Sequence, residues 1–102
     1  MYMKDSKYQE TLISTLESLG VTMEELRSGS REAKVVDARS LLAAQMKHHH
    51  GMLQVDIAAL LGVTQVAVSK MLTRHRTMML YNAPYRRKWQ LVTQHSEERR
   101  SR

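Results

Sequence analysis

The stretch QVDIAALLGVTQVAVSKML, residues 54–72, decides the fold of this chain. Its apolar spacing predicts two short helices, over residues 54–61 and 65–74, joined by a turn that begins at Gly62. Ala58 is small enough for the second helix to cross close to its backbone, and Gly62 accepts the left-handed conformation of a tight turn. The residues expected to point inward are Ile57, Leu61, Val63, Val68 and Met71. Together these features predict a helix-turn-helix.

The outer face of the second helix carries side chains that suit DNA bases. Helical periodicity turns six residues away from the core, namely Gln65, Val66, Ser69, Lys70, Thr73 and Arg74. Gln65 suits an adenine edge, Val66 or Ala67 a thymine methyl group, and Lys70 or Arg74 a guanine or a phosphate. Thr64 is expected to cap the helix and to contact a phosphate. This face therefore predicts base reading in a major groove.

Two helices are predicted before residue 30. The first has an apolar stripe and ends at Gly20, the stripe being Tyr8, Leu12, Leu16 and Leu19. Thr22 followed by Glu25 has the spacing of a capping box, which starts a short helix that Gly29 closes. The chain is expected to turn twice between these elements.

A long helix is predicted next, capped by Ser30 and running to about Lys47, with Glu32 in its first turn and Gly51 at its end. Its core face is expected to hold Val35, Ala38, Leu42 and Met46.

A last helix is predicted after the helix-turn-helix. Asn82 offers a cap and Pro84 a pre-set first helical position. Its buried stripe is expected to be Tyr85, Trp89 and Val92. Residues 78–81, MMLY, are open to a strand interpretation, but no other segment has the period-two alternation of a partner strand.

The sequence therefore predicts an all-α fold, a small helical domain of about five to six helices. Its 102 residues suit a single core. The expected parts are N-terminal helices in 1–29, the long helix in 30–50, the helix-turn-helix in 54–76, and a basic C-terminal helix and tail in 82–102.

Positive charge is concentrated in the last third of the chain. Residues 1–69 hold seven Lys or Arg against eight Asp or Glu, a net of −1, and residues 70–102 hold nine against two, a net of +7. This imbalance favours an anionic partner and places Arg86, Arg87 and Lys88 as phosphate contacts. A solvated basic tail is the alternative interpretation.

Composition also predicts where the protein works. No stretch approaches the roughly 18 consecutive apolar residues of a membrane helix, and the N-terminus has no apolar signal region. The absence of cysteine removes disulfides and thiolate metal sites. We expect a soluble, cytoplasmic, nucleoid-associated protein without a membrane partner.

Two segments carry a family resemblance. LGVTQVAVSKML resembles the turn and recognition helix of Cro-type repressors, and SGSREAKVVDARSLLAAQM followed by DIAALLGVTQVAVSKM resembles the C-terminal DNA-binding domain of the replication initiator DnaA and of some transposases. The second likeness covers residues 28–76 and implies a Trp-repressor-like all-α fold. It also implies that Arg31 and Arg39 contact phosphates or a minor groove. No nucleotide-binding phosphate loop occurs, so ATP-driven initiation is not implied.

Other side chains suggest different chemistry. His48, His49 and His50, with His75, invite a metal interpretation, but consecutive helical residues point about 100° apart and do not converge on one ion. Trp89 beside three cations can stack on a base, although anchoring a helix in the core is the favoured interpretation. No spaced nucleophile, base and acid occur, so we expect neither an enzyme nor a cofactor or metal.

The function predicted from sequence is specific binding of double-stranded DNA, as a bacterial or phage regulator or as the recognition domain of a mobile element. A homodimer is a possible arrangement. Two alternatives stay open: a helical adaptor with a basic tail, and a protein that binds RNA or single strands.

Overall fold

The computed structural model describes the backbone of residues 6–100 and the side chains of residues 8–94. Within that range the chain forms six α-helices and no strand, which confirms the predicted all-α fold. The helices are α1 (Ser6–Leu19), α2 (Met23–Arg27), α3 (Ala33–His50), α4 (Gln54–Leu61), α5 (Gln65–Tyr81) and α6 (Ala83–Arg100).

The first two helices begin and end where local signals predict. α1 stops before Gly20, whose φ of 67° is left-handed. α2 starts with the predicted capping box: the Thr22 hydroxyl accepts from the Glu25 N–H at 3.0 Å, and the Thr22 N–H donates to the Glu25 carboxylate at 2.9 Å. Both hydrogen bonds satisfy N–H groups that a helix start otherwise leaves unpaired.

The start of α3 differs from the prediction. Ser30 does not cap this helix, because its hydroxyl accepts from the Glu32 N–H at 3.2 Å and so closes a turn ahead of it. Glu32 is the N-cap residue rather than a first-turn residue, and it caps without a side-chain hydrogen bond. At the other end α3 runs to His50 and stops at Gly51, which has a left-handed φ of 64°. The terminating glycine was predicted correctly.

A three-residue turn joins α4 to α5 and sets them at 100° to each other. Gly62 ends α4 with a left-handed φ of 69°, as predicted. A Cβ placed there would lie 3.5 Å from the Arg27 side chain, an ordinary contact. Space for a side chain is therefore present at Gly62, and it is the backbone conformation that favours glycine. Thr64 caps α5 by accepting from the Ala67 N–H at 3.1 Å.

α5 is longer than predicted, reaching Tyr81 instead of residue 74. The strand alternative for residues 78–81 is wrong, because this segment continues the helix. Asn82 ends α5 and also begins α6, where its side-chain oxygen accepts from the Tyr85 N–H at 2.9 Å. Pro84 is the second residue of α6 rather than the first.

The core is arranged around α3. Ten residues of this helix are buried, over all of its sides, which identifies it as the central element against which the other helices pack. Of the residues expected inside the helix-turn-helix, three are fully buried (Ile57, Leu61 and Val68) and two are partly buried against the core (Val63 and Met71). This packing holds α5 against α3 and α4, with one side facing solvent.

No single helix of the described chain has both the length and the apolar character needed to cross a bilayer. Only α4 and α5 taken together reach those limits, across their 100° bend.

Candidate nucleic-acid interface

One side of α5 is open to solvent along its whole length. The first five residues predicted for this surface are all exposed, namely Gln65, Val66, Ser69, Lys70 and Thr73. Arg76 lies on the same side and is also exposed. We call these six residues the α5 face. Val66 leaves 64% of its surface in solvent, so its methyl groups are available for contact with a partner.

The α5 face has no acidic neighbour on its own helix. α5 contains no Asp or Glu, and the sequence has none between Asp56 and Glu97. Lys70 and Arg76 therefore add positive potential to the face without a carboxylate nearby in sequence to cancel it. The capped N-terminus of α5 at Thr64 lies at the same end as Gln65 and adds the positive pole of a 17-residue helix.

Arg74 does not belong to this face, which corrects the prediction. Its guanidinium lies 2.9 Å from the Asp37 carboxylate of α3 and 5.9 Å from the centre of the Tyr85 ring. At about 100° per residue, Arg74 lies half a turn from Gln65 but only about 40° from Lys70, at the border of the α5 face. The contact with Asp37 therefore holds Arg74 away from this face.

Two of the three cations at the start of α6 also bind within the protein. The Lys88 ammonium lies 2.8 Å from the other oxygen of Asp37. Arg86 donates to the carbonyl oxygens of Met79 at 2.9 Å and Leu80 at 3.3 Å. It thereby satisfies carbonyls that the end of α5 leaves unpaired. Both cations therefore already have partners within the protein, and of the three only Arg87 is exposed.

Arg39 is a structural residue rather than a phosphate contact. Its guanidinium donates to four backbone carbonyls at 2.7–3.4 Å, those of Leu26, Ser30, Glu25 and Ser28. This use of its donors corrects the role that the family resemblance implied, whereas Arg31 is exposed as that role requires.

Arg27 performs a similar structural task that the sequence did not suggest. It donates to the Leu60 carbonyl at 2.8 and 3.3 Å and so holds the end of α4. No local signal identifies this contact, since its partner is 33 residues away.

Two of the three consecutive histidines contact different helices, and His48 is exposed. His50 lies 2.8 Å from the Thr11 hydroxyl of α1, and the His49 ring lies 5.5 Å from the ring of Trp89 on α6. Among the described residues, no three His, Asp or Glu side chains are grouped to hold a metal ion. Trp89 is partly buried and packs against the core, the arrangement favoured from sequence.

His75 is buried between α5 and α6. Its Nδ1 atom lies 2.8 Å from the Tyr85 hydroxyl, and its ring meets the Trp89 ring edge-on at 4.6 Å. Burial, with smaller contributions from His48 and Arg76, lowers the pKa of His75 from 6.5 to about 4. The imidazole is therefore neutral in the folded protein at pH 7.

This lowered pKa predicts an acid-sensitive fold. Between pH 6.5 and 4 the unfolded chain binds a proton at His75 and the folded chain does not, so the free energy of unfolding falls as the pH falls. We expect His75 to account for a loss of about 2–3 kcal/mol by pH 4. Urea unfolding at pH 7, 5.5 and 4.5 measures it. His75→Gln should flatten the pH dependence in this window, whereas the exposed control His48→Gln should largely keep it. An equal slope in wild type and His75→Gln would contradict this assignment.

Comparison with known proteins adds no assignment, since no family model and no curated protein matches this chain. The function is therefore argued from the α5 face and its surroundings.

Proposed function

We propose that this protein binds double-stranded DNA with sequence preference, and that α5 reads bases in the major groove. The α5 face carries this proposal, because it combines exposed hydrogen-bonding, apolar and cationic side chains on one side of a rigidly packed helix. Gln65 and Val66 are exposed together at the N-terminal end of α5, where a recognition helix places its base contacts.

The geometry of α4 and α5 supports insertion into a groove. Their 100° angle and short glycine turn agree with the helix-turn-helix arrangement, in which the second helix projects its N-terminal residues toward DNA. An α-helix with side chains is about 10–12 Å across, which matches a major groove about 12 Å wide. The first two turns of α5, starting at Gln65, would then lie nearest the bases.

The side chains of these two turns suit different base edges. Gln65 can pair in a bidentate manner with adenine, and Lys70 can donate to the acceptors of guanine. Ser69 bonds either donors or acceptors, and Val66 can contact a thymine methyl group. The face therefore offers a mixed pattern that distinguishes base pairs, rather than charge alone.

Phosphate contacts would come from the exposed cations around this face. Lys70 and Arg76 lie on α5, and Arg31 and Arg87 are exposed on neighbouring segments. The Thr64 hydroxyl accepts from the Ala67 N–H. The other N–H groups in the first turn of α5 have no partner within the helix, as phosphate binding at a helix N-terminus requires. Binding should weaken as salt rises, because each neutralised phosphate releases counterions.

A selection experiment tests the proposal. The full chain is incubated with a pool of randomised DNA duplexes at two salt concentrations, and the bound fraction is sequenced. Enrichment of one motif supports base reading by α5. Retention of duplexes without any enriched motif would overturn it.

A competition assay with the same pool tests the alternative target. Duplex RNA should compete poorly, because its major groove is too deep and narrow for a helix. Stronger competition by single strands would instead favour stacking on the partly exposed Trp89.

A further inference from the structure

One carboxylate ties together the three helices that position the α5 face. Asp37 of α3 is only 8% exposed, and its two oxygens lie 2.9 Å from the Arg74 guanidinium of α5 and 2.8 Å from the Lys88 ammonium of α6. Arg74 in turn lies over the ring of Tyr85 on α6, whose hydroxyl meets His75 of α5. We call these five residues the Asp37 cluster.

The Asp37 cluster is a costly way to gain stability. Taking charged groups out of water carries a desolvation penalty that often cancels the attraction between them, so well-packed apolar residues of similar size can be as stable. The Arg74 atom nearest Asp37 is shut off from solvent and has no further hydrogen-bond partner. Beyond stability, this arrangement fixes the orientation of the helices relative to one another. Ion pairs need a defined geometry, whereas apolar packing is non-directional.

The cluster contacts α5 outside the α5 face. His75 lies on the buried side of the helix, and Arg74, whose side chain is 34% exposed, lies at the border between that side and the α5 face. Contacts of these two residues with α3 and α6 resist rotation of α5 about its own axis. A rotation of about 20° about the helix axis would move side-chain tips that lie 5–6 Å from the axis by about 2 Å. That shift exceeds what a base-edge hydrogen bond tolerates.

We propose that Asp37 is a positioning residue that fixes the rotation of α5 through Arg74 and Lys88, and so determines how well the α5 face distinguishes one DNA sequence from another. This inference rests on the proposed DNA binding. Asp37 itself touches no DNA, and Arg74 and Lys88 serve the interface from within the protein rather than as phosphate contacts.

The test compares affinity for the duplex enriched by selection with affinity for the unselected random pool. Three variants weaken the cluster: Asp37→Asn, the apolar replacement Asp37→Leu with Arg74→Met and Lys88→Met, and Lys88→Met alone. The first raises the net charge by one and the second lowers it by one, so general electrostatics would move their affinities in opposite directions. Lys88 has a side chain 36% exposed, which makes its single replacement compatible with folding. Circular dichroism verifies that each variant is folded.

We expect the ratio of selected to random affinity to fall about tenfold in the first two variants, the size that substitutions remote from a ligand can produce. Lys88→Met should lower it about threefold, since the Arg74 contact remains. The control Arg87→Gln removes an exposed cation and should weaken both affinities alike, leaving the ratio unchanged.

Two results overturn the inference in distinguishable ways. If wild type discriminates between duplexes and the folded variants discriminate equally well, Asp37 has no positioning role and the proposed function stands. If wild type shows no preference at all, the proposed function fails and this inference fails with it. The inference is supported if the ratio of selected to random affinity falls in both folded variants, one with a higher and one with a lower net charge than wild type. Neither lost stability nor altered charge would lower this ratio in both variants.

Discussion

The double variant Gln65→Ala with Lys70→Ala is expected to bind a selected duplex about 100-fold more weakly than wild type. Each side chain stands exposed on the first two turns of α5, where a good base contact contributes about 1–3 kcal/mol of discrimination. Affinity for random-sequence duplex should fall much less, because only one phosphate-reaching cation is lost. Fluorescence anisotropy with both duplexes at one salt concentration measures the two effects.

A matched control places the same two changes elsewhere. Gln90 is exposed on α6 and Lys47 is half-buried on α3, so Gln90→Ala with Lys47→Ala removes the same residue types without touching the α5 face. We expect this control to keep the preference for the selected duplex. Equal losses on selected and random duplexes in the α5 double variant would show that the two side chains contribute charge and no base reading.

Leu42→Ala is expected to lower the free energy of unfolding by about 3 kcal/mol, with a range of 2–5. Leu42 is fully buried at the centre of α3, where the other helices surround it and leave little freedom to close a cavity. For a chain of this size the loss corresponds to a fall in Tm of about 10–20 °C. Chemical denaturation followed by circular dichroism gives the value.

Leu80→Ala is the control for this change. Leu80 also lies on a helix but is 69% exposed, so its truncation should alter stability by no more than about 0.5 kcal/mol. If both variants lost similar stability, α3 would not be the central element of the core. The contrast between the two leucines therefore tests the packing that holds α5 in place.

Local signals made much of the fold predictable. Gly20, Gly51 and Gly62 all have left-handed backbone conformations at helix ends, and the Thr22 capping box forms as expected. These features depend on residues a few positions apart, so they can be read from sequence. The apolar spacing likewise gave the bounds of α4 correctly.

The contacts of several cations could not be predicted, because their partners lie far away in the sequence. Asp37 and Lys88 are 51 residues apart, and no local pattern shows that they meet. Arg39 and Arg86 donate to backbone carbonyls near helix ends. Every residue has a backbone carbonyl, so residue types do not show which carbonyl an arginine contacts. Charge counting could therefore locate the basic third of the chain without separating the cations that hold the fold from those that face solvent.

The length of α5 was missed for another physical reason. The prediction stopped at residue 74, yet no glycine or proline occurs between Gly62 and Pro84 to end a helix. The helix continues until Asn82, where the chain turns into α6. This extension brings Arg76 onto the α5 face, a residue that was not singled out from sequence.

The most direct test of base reading by α5 is an altered-specificity selection with Gln65→Arg. Glutamine pairs with adenine and arginine with guanine, so we expect the enriched motif to change from adenine to guanine at one position and to stay the same elsewhere. Such a change would assign that base to Gln65. An unchanged motif, or a general loss of binding without a new preference, would contradict the proposal that the α5 face reads DNA sequence.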